Sequence, residues 1–350
     1  MISKQEKPAV TWPDCHNYFL FAAGRSDNFP AKFMMQSRRD FVRTLFVATQ
    51  ATLVGTLLPG NLFAADAKSG GLNFLVFGDW GRNGEKDQHD VAVQMGIAAE
   101  EIGAKFVISV GDNFYENGVA SVDDHQWQTS FEKVYTAPSL QVPWQVILGN
   151  HDYHGNCEAQ IAYSHVSHRW NMPARYYTRT ERIDAQNAVD FFYLDSTPMA
   201  KWHGTERIFS KNLAAQDIDH QLAWFKAALE ASTAPWKIVV AHHPVYSGGE
   251  HGDTPYIIKH ILPLLQEHKV QAYFNGHDHD LQHLQAGTVN LFCCGAGSKV
   301  RPTKTTPHSH FAQSCSGFVT VALQAEQLAV RMIDDHGKLV YTATVPRVAV

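Results

Sequence analysis

Short apolar segments recur along the chain from Leu72 onward, and each one ends abruptly at Gly, Asp, Asn or His. They are rich in β-branched and aromatic residues, which favour β-strands. The segments are residues 72–77, 106–110, 144–148, 191–194, 238–241 and 272–274. Helical stretches separate several of them, and this alternation is typical of an α/β fold.

A helix is predicted over residues 217–231, because Ile218, Leu222, Phe225 and Leu229 recur at spacings of four, three and four. These spacings line up one face of an α-helix. We therefore assign this face to the core, where it packs against the sheet.

The carboxyl-terminal region has the pattern of a strand-rich segment. Residues 317–345 predict successive strands, with a turn between two of them at residues 335–337. Residues 197–216, in contrast, show no clear periodicity and are predicted to form a surface loop.

The composition is ordinary for a globular protein, apart from its histidine content. The 350 residues include 29 Lys+Arg and 34 Asp+Glu, for a formal net charge of -5. Without a basic excess, general nucleic-acid binding is not expected. Hydrophobic residues at 45% and charged residues at 18% exclude disordered and fibrous classes. Many of the 20 histidines lie beside Asp, Asn or Gly, which is a first indication of metal binding.

The first part of the chain carries the pattern of a bacterial export signal. Residues 37–42 read Ser-Arg-Arg-Asp-Phe-Val, and they precede an apolar run at residues 45–58 and small residues at Ala64 and Ala65. This pattern is typical of a twin-arginine signal peptide. The run is too short and interrupted to span a bilayer, which takes about 20 apolar residues. The alternative is that the two arginines are an ordinary basic pair.

We therefore interpret residues 34–67 as a cleaved signal, residues 1–33 as an upstream extension or mis-start, and residues 70–350 as the folded domain. The protein is predicted to use the twin-arginine (Tat) export machinery and to be periplasmic or secreted. No stable membrane anchor is expected.

Export would bring the cysteines into an oxidising compartment, where a disulfide can persist. Cys315 could pair with Cys293 or Cys294, but buried free thiols explain these residues equally well. No Cys-x-x-Cys spacing occurs, so a cysteine zinc site is not expected.

Five motifs lie at the ends of predicted strands. In chain order they are Gly78-Asp79-Trp80-Gly81, Gly111-Asp112-Asn113-Phe114-Tyr115, Gly149-Asn150-His151-Asp152, Val239-Val240-Ala241-His242 and Gly276-His277-Asp278-His279. Loops at the carboxyl ends of parallel strands converge on one crevice, so these motifs can share a site. Their carboxylates, imidazoles, amide oxygen and phenol suit Fe³⁺, Fe²⁺, Zn²⁺ or Mn²⁺. Each motif alone is weak evidence for a metal site, whereas the occurrence of all five in this order is far more specific.

These motifs resemble those of the metallophosphoesterases, and Tyr115 narrows the resemblance to the purple acid phosphatases. Residues 160–164, 169–171 and 247–252 are similar to the small mammalian tartrate-resistant type. The resemblance runs from about residue 72 to residue 347. It implies a four-layer α/β/β/α sandwich with mixed sheets.

The resemblance also implies a binuclear centre of Fe(III) and a divalent ion, either Fe, Zn or Mn. Asp79, Tyr115 and His279 resemble the ligands of the ferric ion, Asp112 resembles the carboxylate that bridges both ions, and Asn150, His242 and His277 resemble the ligands of the divalent ion. His243 falls where other members carry an aromatic residue, and we expect it to have a packing role or to support the ligands.

The implied activity is hydrolysis of small phosphate monoesters in acid, by attack of a hydroxide bound to the metal pair. His151 and His251 resemble residues that protonate the leaving group and contact the phosphate. Two alternatives remain. One is a phosphodiesterase or nucleotide hydrolase with the same metal site. The other is a non-catalytic iron-binding protein, although mere binding would not need these two histidines.

Overall fold

The computed structural model describes residues 71–200 and 207–348. The interpretations of residues 1–33 as an upstream extension and of residues 34–67 as an export signal lie outside the described residues. Among the helices that are described, none combines the length and the apolar character needed to cross a lipid bilayer.

The first of two seven-stranded sheets is mixed. In spatial order its strands are β14 (Leu339–Pro346), β13 (Gln327–Asp334), β12 (Gly317–Leu323), β1 (Leu72–Phe77), β2 (Phe106–Ser109), β3 (Trp144–Val146) and β4 (Trp170–Asn171). Strands β1 to β4 run parallel, with Val76 opposite Ile108, while β12 pairs with β1 in the antiparallel direction. The carboxyl ends of β1, β2 and β3 therefore lie at one edge of the sheet.

The second sheet is also mixed. Its strands in spatial order are β11 (Ser309–Gln313), β9 (Leu281–Ala286), β10 (Val289–Cys294), β8 (Ala272–Asn275), β7 (Trp236–Val240), β6 (Ala188–Tyr193) and β5 (Tyr177–Arg182). Strands β6, β7, β8 and β10 run parallel, whereas β5, β9 and β11 pair antiparallel to their neighbours. This sheet, too, brings several carboxyl strand ends to one edge.

Helices cover the outer faces of the sheets. The described helices are α1 (Gln88–Ile102), α2 (Cys157–Tyr163), α3 (Arg207–Ala214), α4 (Ile218–Ala231), α5 (Pro255–His260) and α6 (Leu262–Glu267), with shorter helical turns at Trp127–Glu132, Pro138–Leu140 and Asp152–His154. Val91 and Met95 of α1 pack in the core on the outer side of the first sheet. Phe225 and Leu265 do the same on the second sheet.

The inner faces of the two sheets form a third, shared core. Phe74 of β1 contacts Phe191 of β6 edge to face, with ring centroids 5.5 Å apart. Phe106 of β2 makes a similar contact with Phe191 at 5.7 Å. The architecture is therefore the predicted four-layer α/β/β/α sandwich with mixed sheets.

The predicted strands are present, although their ends differ by a few residues. The segment at residues 72–77 forms β1 as predicted, whereas the segment at residues 144–148 leaves the sheet after Val146. Five strands were not predicted, namely β4, β5, β9, β10 and β11. In β5, most of the side chains are polar and exposed at the edge of the second sheet. An edge strand of this kind has no continuous apolar run to reveal it.

The predicted helix at residues 217–231 is α4, and the side chain of Asp217 caps it by accepting from His220 N. The prediction of a loop over residues 197–216 is wrong in part, because Arg207–Ala214 is helix α3. Asn212 Nδ2 donates to Tyr153 O at 2.7 Å and to Gly155 O at 2.9 Å. Such contacts with a distant turn are not visible in local periodicity.

The cysteines that the structure describes are free thiols. Cys157, Cys293 and Cys294 are buried, and Cys315 is half-buried. Of the two interpretations that the sequence left open, the structure agrees with free thiols rather than a bridge.

Candidate metal centre

The polar motifs come together where parallel strands of both sheets end. Asp79 follows β1, Asp112 follows β2 and His242 follows β7. Several contacts connect the loops of the two sheets at this point. His242 Nδ1 lies 2.9 Å from Val110 O, and His277 N donates to Asp79 Oδ2 at 3.1 Å. The loops are thus held together by their own hydrogen bonds.

Tyr115 is at the centre of a first group of donors. Its Oη lies 3.0 Å from Asp79 Oδ1, 2.9 Å from Asp112 Oδ2 and 3.1 Å from His279 Nε2. All four side chains are buried, and Tyr115 is the most exposed of them at 5%. The residues predicted for the ferric ion therefore lie together, beside the predicted bridging carboxylate.

A second group of donors surrounds His242. Its Nε2 lies 3.2 Å from Asn150 Oδ1 and 3.5 Å from Asp112 Oδ1. Because Asp112 Oδ2 faces Tyr115, the two oxygens of this carboxylate face different groups. Ligand atoms of Asp79, Asp112 and His242 all lie within 4.8 Å of one another, close enough to share a metal ion.

His277 lies beside the second group. Its ring centroid is 5.1 Å from that of His242, and its side chain is buried. The same ring contacts His243 at 4.4 Å and His251 at 4.2 Å. All seven residues predicted as metal ligands are therefore in one buried region.

Backbone geometry at the strand ends explains the glycines of the motifs. Asp79, Asp112 and His277 have positive φ angles of 61°, 51° and 72°, which are rare for residues other than glycine and recur at functional sites. A Cβ at Gly149 would lie 2.2 Å from Asp112 Oδ1, and one at Gly276 would lie 2.3 Å from Asp79 Oδ2. Only glycine lets the backbone approach these carboxylates so closely.

His151 lies at the rim of the first group. Its ring centroid is 4.4 Å from that of Tyr115, and its main-chain N donates to Asp112 Oδ1 at 2.8 Å. Its Nδ1 lies 2.6 Å from the carbonyl oxygen of Glu116, and the side chain is 23% exposed. Asp152, its neighbour in sequence, instead accepts from Gly149 N at 2.8 Å.

His251 lies on the other side, against His277. Its main-chain N donates to Asp278 Oδ1 at 2.8 Å, and its Nε2 contacts Nη1 of Arg301. The neighbouring Glu250 carboxylate lies 3.7 Å from Arg301 Nε. Both predicted catalytic histidines therefore border the donor groups without forming part of them.

The donor set fits a pair of cations. Burial opposes ionisation of Asp112, but the charges of His242 and His151 outweigh it and hold the pKa of this carboxyl well below its usual range. Burial raises the pKa of the Tyr115 phenol, and the charge of Asp112 raises it further. Converging oxygen and imidazole donors are ligands that iron, zinc and manganese accept.

Several supporting residues carry no clear signal in the sequence. Asp152 is fully buried and also accepts from Asn113 N and Gln160 Nε2, so it connects the loops after β2 and β3. Burial raises the pKa of Asp152 to about 7, and the charge of Asp112 contributes to this rise. Arg82 and Arg301 lie next to Tyr115 and His251, respectively, but their isolated positions in the sequence do not indicate this.

Comparison with known proteins identifies the family. The model of the calcineurin-like phosphoesterase family matches residues 72–281. Purple acid phosphatase 7 of Arabidopsis thaliana is 40% identical over 240 residues, which cover 66% of this chain and 71% of the relative. Tartrate-resistant acid phosphatase type 5 of Sus scrofa is 37% identical over 333 residues, which cover 87% of this chain and 96% of the relative.

A solved structure described as GAP50, the anchor in the inner membrane complex of Plasmodium, shares the fold with a TM-score of 0.72. It is 24% identical, over 80% of this chain and 90% of the other. The family match and the pig relative agree with the resemblance seen in the motifs. The chain belongs to the calcineurin-like phosphoesterase family and, within it, to the purple acid phosphatases.

Proposed function

We propose that this chain is an acid phosphatase that hydrolyses small phosphate monoesters at a binuclear metal centre. The observation that carries the proposal is the position of Asp112, whose two carboxylate oxygens face the Tyr115 group and the His242 group separately. A buried carboxylate in this position can bridge two cations. The names of the Arabidopsis and pig relatives, which are acid phosphatases, support the same activity.

The proposed ligands form two groups that share Asp112. Asp79, Tyr115 and His279 would hold Fe(III), and Asn150, His242 and His277 would hold a divalent Fe, Zn or Mn ion. A phenol and two carboxylates suit the harder trivalent ion, whereas imidazoles and an amide oxygen suit the divalent ion. When bound, such a pair would supply Lewis acidity and would lower the pKa of a water molecule, which is the chemistry that hydrolysis of a phosphate ester needs.

His151 is the proposed general acid for the leaving alkoxide. Because Nδ1 faces the carbonyl oxygen of Glu116, this nitrogen donates and carries a proton, which leaves Nε2 for the ester oxygen. The exposed part of the ring gives a substrate access to it. A proton held on Nε2 can be donated to the ester oxygen as its bond to phosphorus breaks.

His251 is proposed to contact the phosphate. Asp278 holds its main chain and His277 supports its ring, so the imidazole is fixed at the edge of the second group. The guanidinium of Arg301 beside it adds a permanent positive charge. Together they favour a dianionic phosphate at this side of the site.

Export by the twin-arginine route, to the periplasm or the exterior, is also a proposal. Its support is the twin-arginine pattern at residues 37–42 and the apolar run that follows. Mass spectrometry of the precursor and of the mature chain tests it. A mature protein that begins after about residue 65 is expected, and a mature chain that retains residues 34–67 would contradict it.

Elemental analysis, combined with pH–rate profiles for a phosphate monoester and its matched diester, tests the proposed function. The expected result is a metal pair per chain that includes iron, and faster monoester turnover in acid. Replacing Asp112 with Asn should release metal, whereas the exposed Asp123→Asn should not. Faster diester turnover would favour a phosphodiesterase, and full metal content without hydrolysis would favour a non-catalytic iron-binding protein.

A further inference from the structure

A cleft opens beside the proposed metal centre, on the side of His277. Its volume is about 710 Å³, which is within the range of sites that bind small molecules. Part of its wall consists of His243, His251 and His277, and the ring of His277 contacts the rings of the other two. A molecule in the cleft would therefore lie next to the place where the phosphate is proposed to bind.

Helix α5 supplies another part of the wall. Tyr256 and His260 are one helical turn apart, and their ring centroids are separated by 4.3 Å. Both are half-buried, while Lys259 between them in sequence is exposed. The buried Ile257 anchors the helix in the core of the second sheet. This wall thus offers two adjoining rings and a positive charge on a fixed element.

His243 forms a buried part of the wall of the same cleft. Its exposed fraction is 2%, and Ser196 Oγ lies 2.9 Å from its Nδ1. That hydroxyl already accepts from the main-chain N of His242 and of His243, so its own proton is donated to Nδ1. Nε2 therefore carries the ring proton, and it has no hydrogen-bond partner among the residues that the structure describes.

We propose that this cleft is a leaving-group subsite for phosphate monoesters whose alcohol part is an aromatic ring with a negatively charged substituent. The inference rests on the proposed phosphatase function, which it extends to a substrate class. The ring would pack against Tyr256 and His260, and the substituent would pair with Lys259.

Asp253 restricts where the negatively charged substituent of a substrate can lie. Its carboxylate also lines the cleft, and Oδ1 accepts from Ser247 N at 3.0 Å. A substrate anion close to Asp253 would be repelled, so the substituent is expected near Lys259. A compact, rigid aromatic leaving group can pack against the rings of the wall and also keep its charge near Lys259 and away from Asp253. A short alkyl group fills little of the cleft.

Three esters separate the contribution of ring packing from that of the negative charge: ethyl phosphate, phenyl phosphate and 4-carboxyphenyl phosphate. The metal-loaded wild-type enzyme is expected to have the lowest KM for the carboxyphenyl ester. Tyr256→Ala should raise KM for both aryl esters about two- to tenfold and leave ethyl phosphate unchanged, while Tyr256→Phe should retain the wild-type values. Thermal unfolding of both variants verifies that the fold is intact.

Lysine variants test the charge separately. Lys259→Gln should raise KM for the carboxyphenyl ester about two- to fivefold and leave phenyl phosphate unchanged. The matched control is Lys226→Gln on α4, where an exposed lysine lies 3.8 Å from Glu230. This control should change none of the three KM values.

Calorimetric binding of the non-hydrolysable benzylphosphonate and 4-carboxybenzylphosphonate gives a readout that does not depend on turnover. The Kd ratios between variants and wild type should follow the KM ratios. Two results would overturn the subsite while the phosphatase function stands. One is that Tyr256→Ala changes KM equally for the ethyl and aryl esters, and the other is that the two phosphonates bind the wild-type enzyme with equal Kd values. A wild-type enzyme that hydrolyses none of the three esters would instead refute the phosphatase function.

Discussion

Arg82 lies over the ring of Tyr115, with its guanidinium carbon 3.6 Å from the centroid of the phenol ring. The guanidinium is fixed at both ends, because Nη1 lies 2.8 Å from Glu116 Oε1 and Nε donates to Ser298 Oγ at 3.1 Å. A positive charge in this position stabilises negative charge on the ring. The charge of Arg82 therefore acts on the proposed iron ligand across the face of its ring.

Replacing Arg82 with Met should shift the visible absorption of the iron-loaded protein to longer wavelength. Loss of the cation raises the energy of the phenolate electrons. The energy of the charge-transfer transition from the phenolate to the ferric ion therefore falls. Arg82→Lys should shift the band less, and Tyr115→Phe should remove it while the fold survives. Absorption spectra at equal iron content measure this effect. An unchanged band in Arg82→Met would show that the two residues are electronically independent.

Replacing His151 with Ala should lower kcat by about 10²- to 10⁴-fold, the usual contribution of a general acid. Metal content should remain nearly intact, because Nδ1 faces Glu116 rather than the donor groups. His154→Ala on the same helical turn is the matched control and should have a small effect. Loss of metal from His151→Ala would contradict the proposed role.

Replacing Ser247 with Ala should loosen the loop that carries His251. Its Oγ contacts Asp278 Oδ2 and accepts from Gly249 N and Gln282 Nε2, so the change leaves buried polar atoms unpaired. The free energy of unfolding should fall by about 1–3 kcal/mol. Denaturant titration measures this loss, and the exposed Ser314→Ala is the control.

The same variant should also lower kcat/KM through His251. Each loss of kcat/KM can be expressed as a loss of transition-state stabilisation. In the double variant with His251→Ala, this free-energy loss should be smaller than the sum of the losses in the two single variants, because both changes disturb one loop. Strictly additive losses would indicate that Ser247 supports the fold but does not position His251.

His283 should make the protein less stable in acid. Burial lowers its pKa to about 4, against an ordinary value of 6.5, although the hydrogen bond to Asn290 opposes this shift. Between these values the unfolded chain binds a proton that the folded protein does not. The stability contributed by the neutral ring is therefore complete above pH 6.5 and is lost as the pH falls toward 4, by about 3 kcal/mol.

His283→Phe should reduce this acid-dependent loss, because it keeps the stacking on Phe292 and removes the titration. Its unfolding free energy, compared with wild type at pH 7 and pH 4.5, measures the difference. The variant should lose less stability than wild type between the two pH values, even if its stability at pH 7 is lower. The exposed His89→Gln should behave as wild type.

The local pattern of the sequence determined several of the strands with apolar runs, the helix α4 and the polar residues at the strand ends. Strand β1 and the buried face around Phe225 could be predicted because each depends on a short-range period of apolar side chains. The motifs could be placed in one crevice because parallel strands direct their carboxyl ends to one edge of a sheet. The resemblance added the family and the four-layer architecture.

Tertiary structure decided which atoms meet. Helix α3 depends on contacts of Asn212 with a distant turn, and the exposed edge strand β5 has no apolar run. The packing of the two sheets brings together residues that are distant in sequence. This packing produces the contacts of His151, the contact of Arg82 with Tyr115 and the cleft wall on α5. Residue spacing specifies the faces of single elements, whereas these contacts depend on how the elements are packed.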